Sequence, residues 1–349
     1  MIRIIRWILL PFSFIYQFIV WVRNRFYDQG IFKSRSFTIP TIVIGNLAIG
    51  GTGKSPMTEY LIRLLSANYK VATLSRGYGR KTKGFREVSV DSTALEVGDE
   101  PLQFKRKFRH VTVTVSEDRC LAIEKLENQH DLILLDDAYQ HRKLKPGFSI
   151  LLFDYASFQK STLTLPTGDL RDNFSSVTRA DLIVITKCPD TLHIEQKQAI
   201  ERKIKKHTSV PLFYTKIGYD SVVDAQQALL QSGLTHMDIV LFCGIAKPKP
   251  LISYLESQNN RVHAVIFPDH HNFSRKDYER VIAKYEEIAG EHKIIVTTEK
   301  DFQRIQRKFF KDLPLFYIPI HLQFLDFQKE IFDRLVQNYV LQQHNVNNP

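Results

Sequence analysis

The chain has 349 residues, enough for two domains, and its 44% hydrophobic content is ordinary for a globular protein with a sizeable core. A formal net charge of +11 favours anionic partners: nucleic acid, a phosphorylated substrate or acidic lipid. The cysteines Cys120, Cys188 and Cys243 are far apart and follow no metal-ligand spacing, which argues against a zinc module and suits buried thiols in a reducing cytoplasm.

Residues 7–22 form an apolar, aromatic run shorter than the ~20 residues a helix needs to cross a bilayer. Arg3 and Arg6 precede it, and Arg23 and Arg25 follow it. Positive charge at both ends suits a simple crossing poorly. At helical spacing Arg6, Ser13, Gln17 and Asn24 share one narrow stripe, and the remaining surface is apolar. Trp7 and Trp21 sit at the edges of the run, as at the headgroup level of a membrane. Pro11 should kink or restart the helix. No small-residue cleavage site follows, which argues against a signal peptide. The pattern predicts a membrane-associated segment over 1–35, lying in the cytoplasmic leaflet with its arginines on anionic lipid. A plain core helix is the alternative.

The next run, Thr41–Ile44, is β-rich and leads into Gly45-Asn46-Leu47-Ala48-Ile49-Gly50-Gly51-Thr52-Gly53-Lys54-Ser55-Pro56, followed by a helical pattern. A strand, a glycine-rich turn ending in Gly-Lys-Ser and a helix make a phosphate-binding loop. The backbone N–H groups of Ala48, Ile49, Gly50, Gly51, Thr52, Gly53, Lys54 and Ser55 would curl around phosphate oxygens at the positive end of the helix. Lys54 would reach the β- and γ-phosphates, and the Ser55 hydroxyl would ligate Mg²⁺. The consensus opens with glycine, where this chain has Ala48.

From residue 41 onward, β-rich runs alternate with helical patterns, which predicts a doubly wound α/β architecture with mainly parallel sheets. The segment 216–235 lacks a long apolar run, so a boundary is expected there: 36–215 as the phosphate-loop domain and 216–349 as a smaller α/β domain. The polar tail after about 343 is expected to fray.

Several strand ends carry candidate chemistry. Leu132–Leu135 is followed by Asp136 and Asp137, acids placed to hold Mg²⁺ or its water beside the loop; Gln140 and His141 follow, within reach of phosphates or substrate. Ser75-Arg76-Gly77-Tyr78-Gly79-Arg80 reads as a flexible cationic arm suited to clamping phosphate. Val97-Gly98-Asp99-Glu100-Pro101 offers Asp99 either as a base for a substrate hydroxyl or as a helix N-cap, and on residue type alone the cap is favoured. Arg171, in a turn-rich segment, is a second phosphate arginine. His270 and His271 stand beside Asp269 ahead of a helix capped by Ser274 and would orient a base or bind phosphate. Lys187 suits packing on a nucleotide base, and Thr297–Asp301 reads as a cap or an interdomain contact.

Together these segments resemble the tetraacyldisaccharide 4′-kinase family, the lipid A kinases of Gram-negative bacteria. GNLAIGGTGKSP, SRGYGR, VGDEP, LLDDAYQHR, PTGDLRD, FCGIAKP, FPDHHNF and VTTEKD follow in order through nearly the whole chain. Ser55 stands where the family more often has threonine, and Asp169 stands in a segment that often reads Gly-Pro-Leu-Arg. The resemblance implies a P-loop NTPase-like doubly wound sheet with a second α/β domain. It also implies ATP and Mg²⁺ as cofactors, and transfer of the γ-phosphoryl group to the 4′-hydroxyl of an acylated glucosamine disaccharide 1-phosphate. It makes Asp99 the base, partnered by a histidine, His270 in preference to His271. Lys54 and Arg76 would stabilise the phosphoryl group in flight, and Arg171, Gln140, His141 and His271 would face substrate. Its site of work would be the cytoplasmic face of the inner membrane, with membrane lipid as a partner and no nucleic acid. The rival class is a membrane-associated positioning ATPase, but its signature lysine ahead of the glycine pair is Ile49 here.

Overall fold

The computed structural model describes residues 7–160, 162–226, 228–230 and 233–347. Arg3 and Arg6 lie outside the described residues. Trp7 and Ile8 are helical, Leu9 is a turn, and helix α1 (Leu10–Asp28) begins anew with Pro11 in its first turn, where proline's missing N–H costs nothing, so Pro11 restarts the helix as expected. Its polar stripe is divided: Ser13 and Asn24 face protein and Gln17 is exposed, while Arg23, expected on anionic lipid, donates instead to Asn24 Oδ1 at 3.1 Å and lies 4.0 Å from Asp172. Ser13 and Asn24 are buried. Ser13 Oγ accepts from the Thr167 amide at 2.9 Å, and Asn24 Nδ2 donates to Asp172 Oδ1 at 2.8 Å. The apolar face points outward, with Trp7 62% exposed, Phe18 63% and Trp21 52%. No helix among the described residues is long and apolar enough to cross a membrane.

The chain then alternates strand and helix as the pattern requires. It runs β1 (Thr41–Asn46), α2 (Lys54–Leu65), β2 (Val71–Ser75), β3 (Arg86–Glu87), α3 (Ala94–Val97), α4 (Asp99–Lys107), β4 (Thr112–Val115), α5 (Arg119–Leu126), β5 (Leu132–Asp136), β6 (Phe148–Asp154), α6 (Tyr155–Phe158), β7 (Leu182–Thr186), α7 (Ile194–Lys205) and β8 (Leu212–Tyr219). These strands, joined by β13 (Ile320–Phe324), make a nine-stranded sheet of order β13-β8-β7-β6-β1-β5-β2-β4-β3. Its interior pairings are parallel, and both edge strands are antiparallel. β1 lies at the centre, where the winding reverses, and this opens a crevice at its carboxyl end. β1, β2 and β5 are buried along their whole length, because helices cover both faces of the sheet.

A second sheet, β10-β9-β11-β12, is all parallel. It is built from β9 (Asp238–Cys243), α8 (Lys249–Ser257), β10 (Arg261–Ile266), α9 (Arg275–Glu286), β11 (Lys293–Thr298), α10 (Glu299–Phe302) and β12 (Leu315–Ile318). The lobes divide differently from the expected boundary at 216. β8 runs through Tyr219, and β13 returns to pair with it, Ile320 opposite Tyr219. The last helix, α11 (Lys329–Asn347), lies on the first sheet, with Phe332, Val336 and Val340 fully buried in the core that holds Ile42 and Leu61. The tail expected to fray is helical through Asn347. A two-stranded antiparallel connection therefore joins the lobes, and α11 belongs to the first.

Candidate active site

The loop between β1 and α2 needs left-handed backbone at Gly50 (φ +101°) and Gly53 (φ +85°), where a Cβ would be strained. Residue 48 needs none, so alanine is accommodated there. Ala48 bridges to Leu170, and its carbonyl accepts from Asn46 Nδ2 at 2.8 Å. The loop is braced from behind. Thr186 Oγ1 donates to the Thr52 carbonyl at 2.8 Å, and Lys187 Nζ donates to the Gly51 carbonyl while lying 3.5 Å from Asp154. Lys187 is thus a support for the loop backbone, a role its residue type did not suggest.

β5 pairs with β1, so Asp136 stands opposite Ile44 and Asp137 emerges beside the loop. Asp137 takes left-handed backbone (φ +51°) and meets Lys54 Nζ at 3.7 Å and the Arg171 guanidinium. Burial raises its pKa, but Lys54 and Arg171 outweigh burial and hold it below the usual range. Asp136 is fully buried and accepts a long hydrogen bond from Thr58, 3.5 Å. Burial, then the neighbouring charge of Glu100, pushes it up to about 8 against the pull of Lys54. A carboxylate so short of compensation, near the Ser55 end of α2, has the hard oxygen chemistry of a Mg²⁺ ligand.

Across the crevice the two lobes meet at Asp99. Gly98 occupies the N-cap position of α4 with φ +93°, and a Cβ there would meet the Tyr78 carbonyl at 3.0 Å. Asp99 is the first helical residue, and its side chain does not cap; it faces the second lobe. His270 Nδ1 lies 3.6 Å and Arg304 Nε 3.5 Å from Asp99 Oδ2. Lys300 Nζ is 3.1 Å from His270 Nε2. With the lysine donating to Nε2, the imidazole proton sits on Nδ1 and faces the carboxylate. Burial raises the Asp99 pKa, opposed by Arg304, Lys300 and His270 in that order.

Other expected residues are placed differently. His271 turns away: its Nε2 lies 3.0 Å from Asp277, in the capping box that Ser274 opens on α9, and its ring stacks on Phe267. There it holds the start of α9. Gln140 Nε2 donates to the Asn46 carbonyl at 2.6 Å, and Arg171 holds both Asn46 and Asp137. Both therefore brace the loop. Arg76 is exposed at the carboxyl end of β2, whereas Arg80 is tied to Glu117 at 2.6 Å. His141 carries a buried Nε2 with no hydrogen-bond partner among the described residues, and burial pushes its pKa down to about 4. Thr297–Asp301 proves to be both a cap, through Thr298, and an interdomain contact, through Glu299; Arg304 lies outside any motif, where a basic residue reads first as part of a solvated face.

Comparison with known proteins decides the family. Residues 5–340 match the family described as LpxK, tetraacyldisaccharide-1-P 4′-kinase. This chain belongs to that family. The tetraacyldisaccharide 4′-kinase of Flavobacterium psychrophilum is 44% identical over 338 residues, covering 95% of this chain and 96% of the relative. That of Bacteroides thetaiotaomicron is 40% identical over 358 residues, covering 97% and 94%. Among solved structures, an apo-form LpxK from Aquifex aeolicus in complex with ATP is 29% identical, with a TM-score of 0.75 over 96% of this chain and 99% of that one. The α/β fold with its large, mainly parallel sheet is that of the 4′-kinase family.

Proposed function

We infer that this 4′-kinase transfers the γ-phosphoryl group of ATP to the 4′-hydroxyl of a tetraacylated glucosamine disaccharide 1-phosphate. The observation that carries the reading is the base assembled from both lobes: Asp99 on α4, with His270, Lys300 and Arg304 facing it from the other side of the phosphate-loop crevice. A switch ATPase acting on water has no need of such a group on the acceptor side.

The acceptor hydroxyl gives its proton to Asp99 as its oxygen bonds to the γ-phosphorus, and the bond from that phosphorus to the β,γ-bridging oxygen breaks to release ADP. Burial makes Asp99 a stronger base than a solvated carboxylate, while Arg304 keeps it ionised. His270, its Nδ1 3.6 Å from Oδ2, flanks the carboxylate and orients it. Lys54 and Arg76 neutralise charge on the phosphoryl oxygens. Ser55 and Asp136 would hold Mg²⁺, which supplies electrostatic stabilisation of the phosphates when bound; Asp137 positions Lys54. Closing the lobes excludes water from the acceptor position.

The enzyme works, in this reading, at the cytoplasmic face of the inner membrane. The outward apolar face of α1 lies in the leaflet while Ser13 and Asn24 stay hydrogen-bonded to the first lobe, and the exposed Arg25 reaches anionic headgroups. The test is a radiolabelled-ATP assay with the acylated disaccharide 1-phosphate against a no-acceptor control. Label in the lipid supports the kinase; free phosphate alone in both tubes overturns it in favour of the ATPase switch.

A further inference from the structure

Beneath the crevice three buried charges join the lobes. Lys107 Nζ lies 2.7 Å from Glu59 Oε2 and 2.8 Å from Glu299 Oε2. Glu59 is on α2, the helix that opens with Lys54; Lys107 ends α4, the helix that opens with Asp99; Glu299 opens α10 in the second lobe, beside Lys300. Both carboxylates are nearly inaccessible, at 3% and 7% side-chain exposure. Gln103, one turn before Lys107, donates to Glu59 Oε1 at 2.7 Å. The guanidinium of Arg63 stands 3.7 Å from Glu59 on the solvent side. Arg106 adds a hydrogen bond to Gln303 at 2.9 Å.

Helix α4 is therefore a rod held at both ends. At its start Asp99 meets Arg304, and at its finish Lys107 meets Glu299, so both ends grip the single segment 299–304. Along its flank Gln103 and Lys107 grip the phosphate-loop helix through Glu59. The distance from the phosphate cradle to the base runs through this clasp. Two buried carboxylates around one ammonium are a costly way to join helices, since apolar side chains of similar volume stabilise at least as well. What an ionic clasp adds over an apolar contact is a fixed register between the helices it joins.

We propose that Lys107, gripped by Glu59 and Glu299, is a positioning residue that sets Asp99 against the phosphate loop. The proposal rests on the kinase reading above, and the wild-type enzyme's transfer of label to the acylated disaccharide is the control that tests that reading separately.

The experiment compares Lys107→Met, Lys107→Arg and wild type as full-length protein, measuring kcat with saturating acceptor and the dissociation constant for ATP. Thermal melting confirms that each variant is folded. Displacing the base without touching the nucleotide lowers kcat about tenfold or more and leaves ATP affinity within about threefold, because misplacement of roughly an ångström is costly to the reacting geometry. Lys107→Arg, which keeps the charge between the carboxylates, restores most of that loss. A kcat within about fivefold of wild type, or a loss carried by ATP affinity, overturns the proposal. Should Lys107→Met fail to fold, Glu299→Gln keeps the shape of the clasp and weakens its charge. The same split is then read, and an unchanged kcat overturns the proposal equally.

Discussion

Arg304 of the second lobe lies 3.5 Å from the carboxylate of Asp99 on the first, and the same guanidinium binds Asp301. Asp301 is fully buried and accepts the Gly244 amide at 2.9 Å and the Thr298 hydroxyl at 2.7 Å. The arginine is thus fixed before it reaches Asp99, and the base is oriented by a preorganised cation.

Asp99→Asn keeps the shape of the carboxylate and removes its basicity. Transfer to the acylated disaccharide should fall by about 10²–10⁴ in kcat, the range of a positioned general base. ATP affinity should stay close to wild type, because Asp99 acts on the acceptor. Steady-state kinetics with an independent nucleotide-binding titration checks both; a loss of ATP binding would move Asp99 to the nucleotide side.

Arg304→Gln removes the strongest of the charges that offset the burial of Asp99. With that cation gone, the folded pKa of Asp99 rises. Asp99 must be ionised to accept a proton, so the acid limb of the kcat/KM profile should move to higher pH. Profiles of the two proteins, overlaid between pH 5 and 9, decide it; coincident acid limbs would show that Arg304 does not tune the base.

Ala48→Gly restores the consensus glycine at a position whose backbone does not require it, since the left-handed residues of the loop are Gly50 and Gly53. Transfer activity should be unchanged within about twofold, and stability should fall by roughly 0.5–1 kcal/mol from the added freedom of the unfolded chain. Urea denaturation alongside the kinase assay measures both.

Phe14→Ser with Phe18→Ser lowers the apolarity of the outward face of α1 while leaving its hydrogen bonds to residues 164–176 intact. Co-sedimentation with anionic vesicles should weaken about tenfold or more, at about 1.5–3 kcal/mol for each lost aromatic contact with lipid. The melting temperature should hold, because the altered side chains do not pack on the core. Undiminished vesicle binding would count against the anchor.

Burial, then the charge of Glu59, raises the Glu299 pKa from 4.5 to about 7. Between those values the folded chain keeps a proton that the unfolded chain has released. Stability contributed by this group therefore falls as pH rises through the window and is flat above it. Glu299→Gln removes that dependence, so the variant should gain on wild type between pH 5 and pH 7.5. Denaturation midpoints at the two pH values give the sign directly.

Much of this enzyme is legible one strand at a time. The apolar runs ending in Asn46, Asp136, Asp154 and Thr186 became the parallel strands around the phosphate loop, because a sheet covered on both faces must be written in continuous apolar segments. The edge strands β3 and β13 gave no such signal. β3 is only Arg86-Glu87, and β13 alternates apolar and polar residues over five positions, too short a run to stand out beside the continuous apolar strands; its partner lies about a hundred residues upstream. The same long return brings α11 back to the first lobe and moves the boundary that local composition suggested.

What the amino acids settled by themselves is the chemistry that depends on local backbone: a glycine turn before Gly-Lys-Ser and acids at a strand end. The tertiary structure decided which groups meet. His270 faces Asp99 while its neighbour His271 turns to Asp277 in the capping box of α9, and Arg171 and Gln140 brace the loop from behind. Lys300 and Arg304 reach the base from about two hundred residues away in the chain. Those partnerships depend on how two lobes pack. Long-range electrostatic pairing leaves no period in a sequence, because each charged residue is compatible with solvent until the fold removes the water around it.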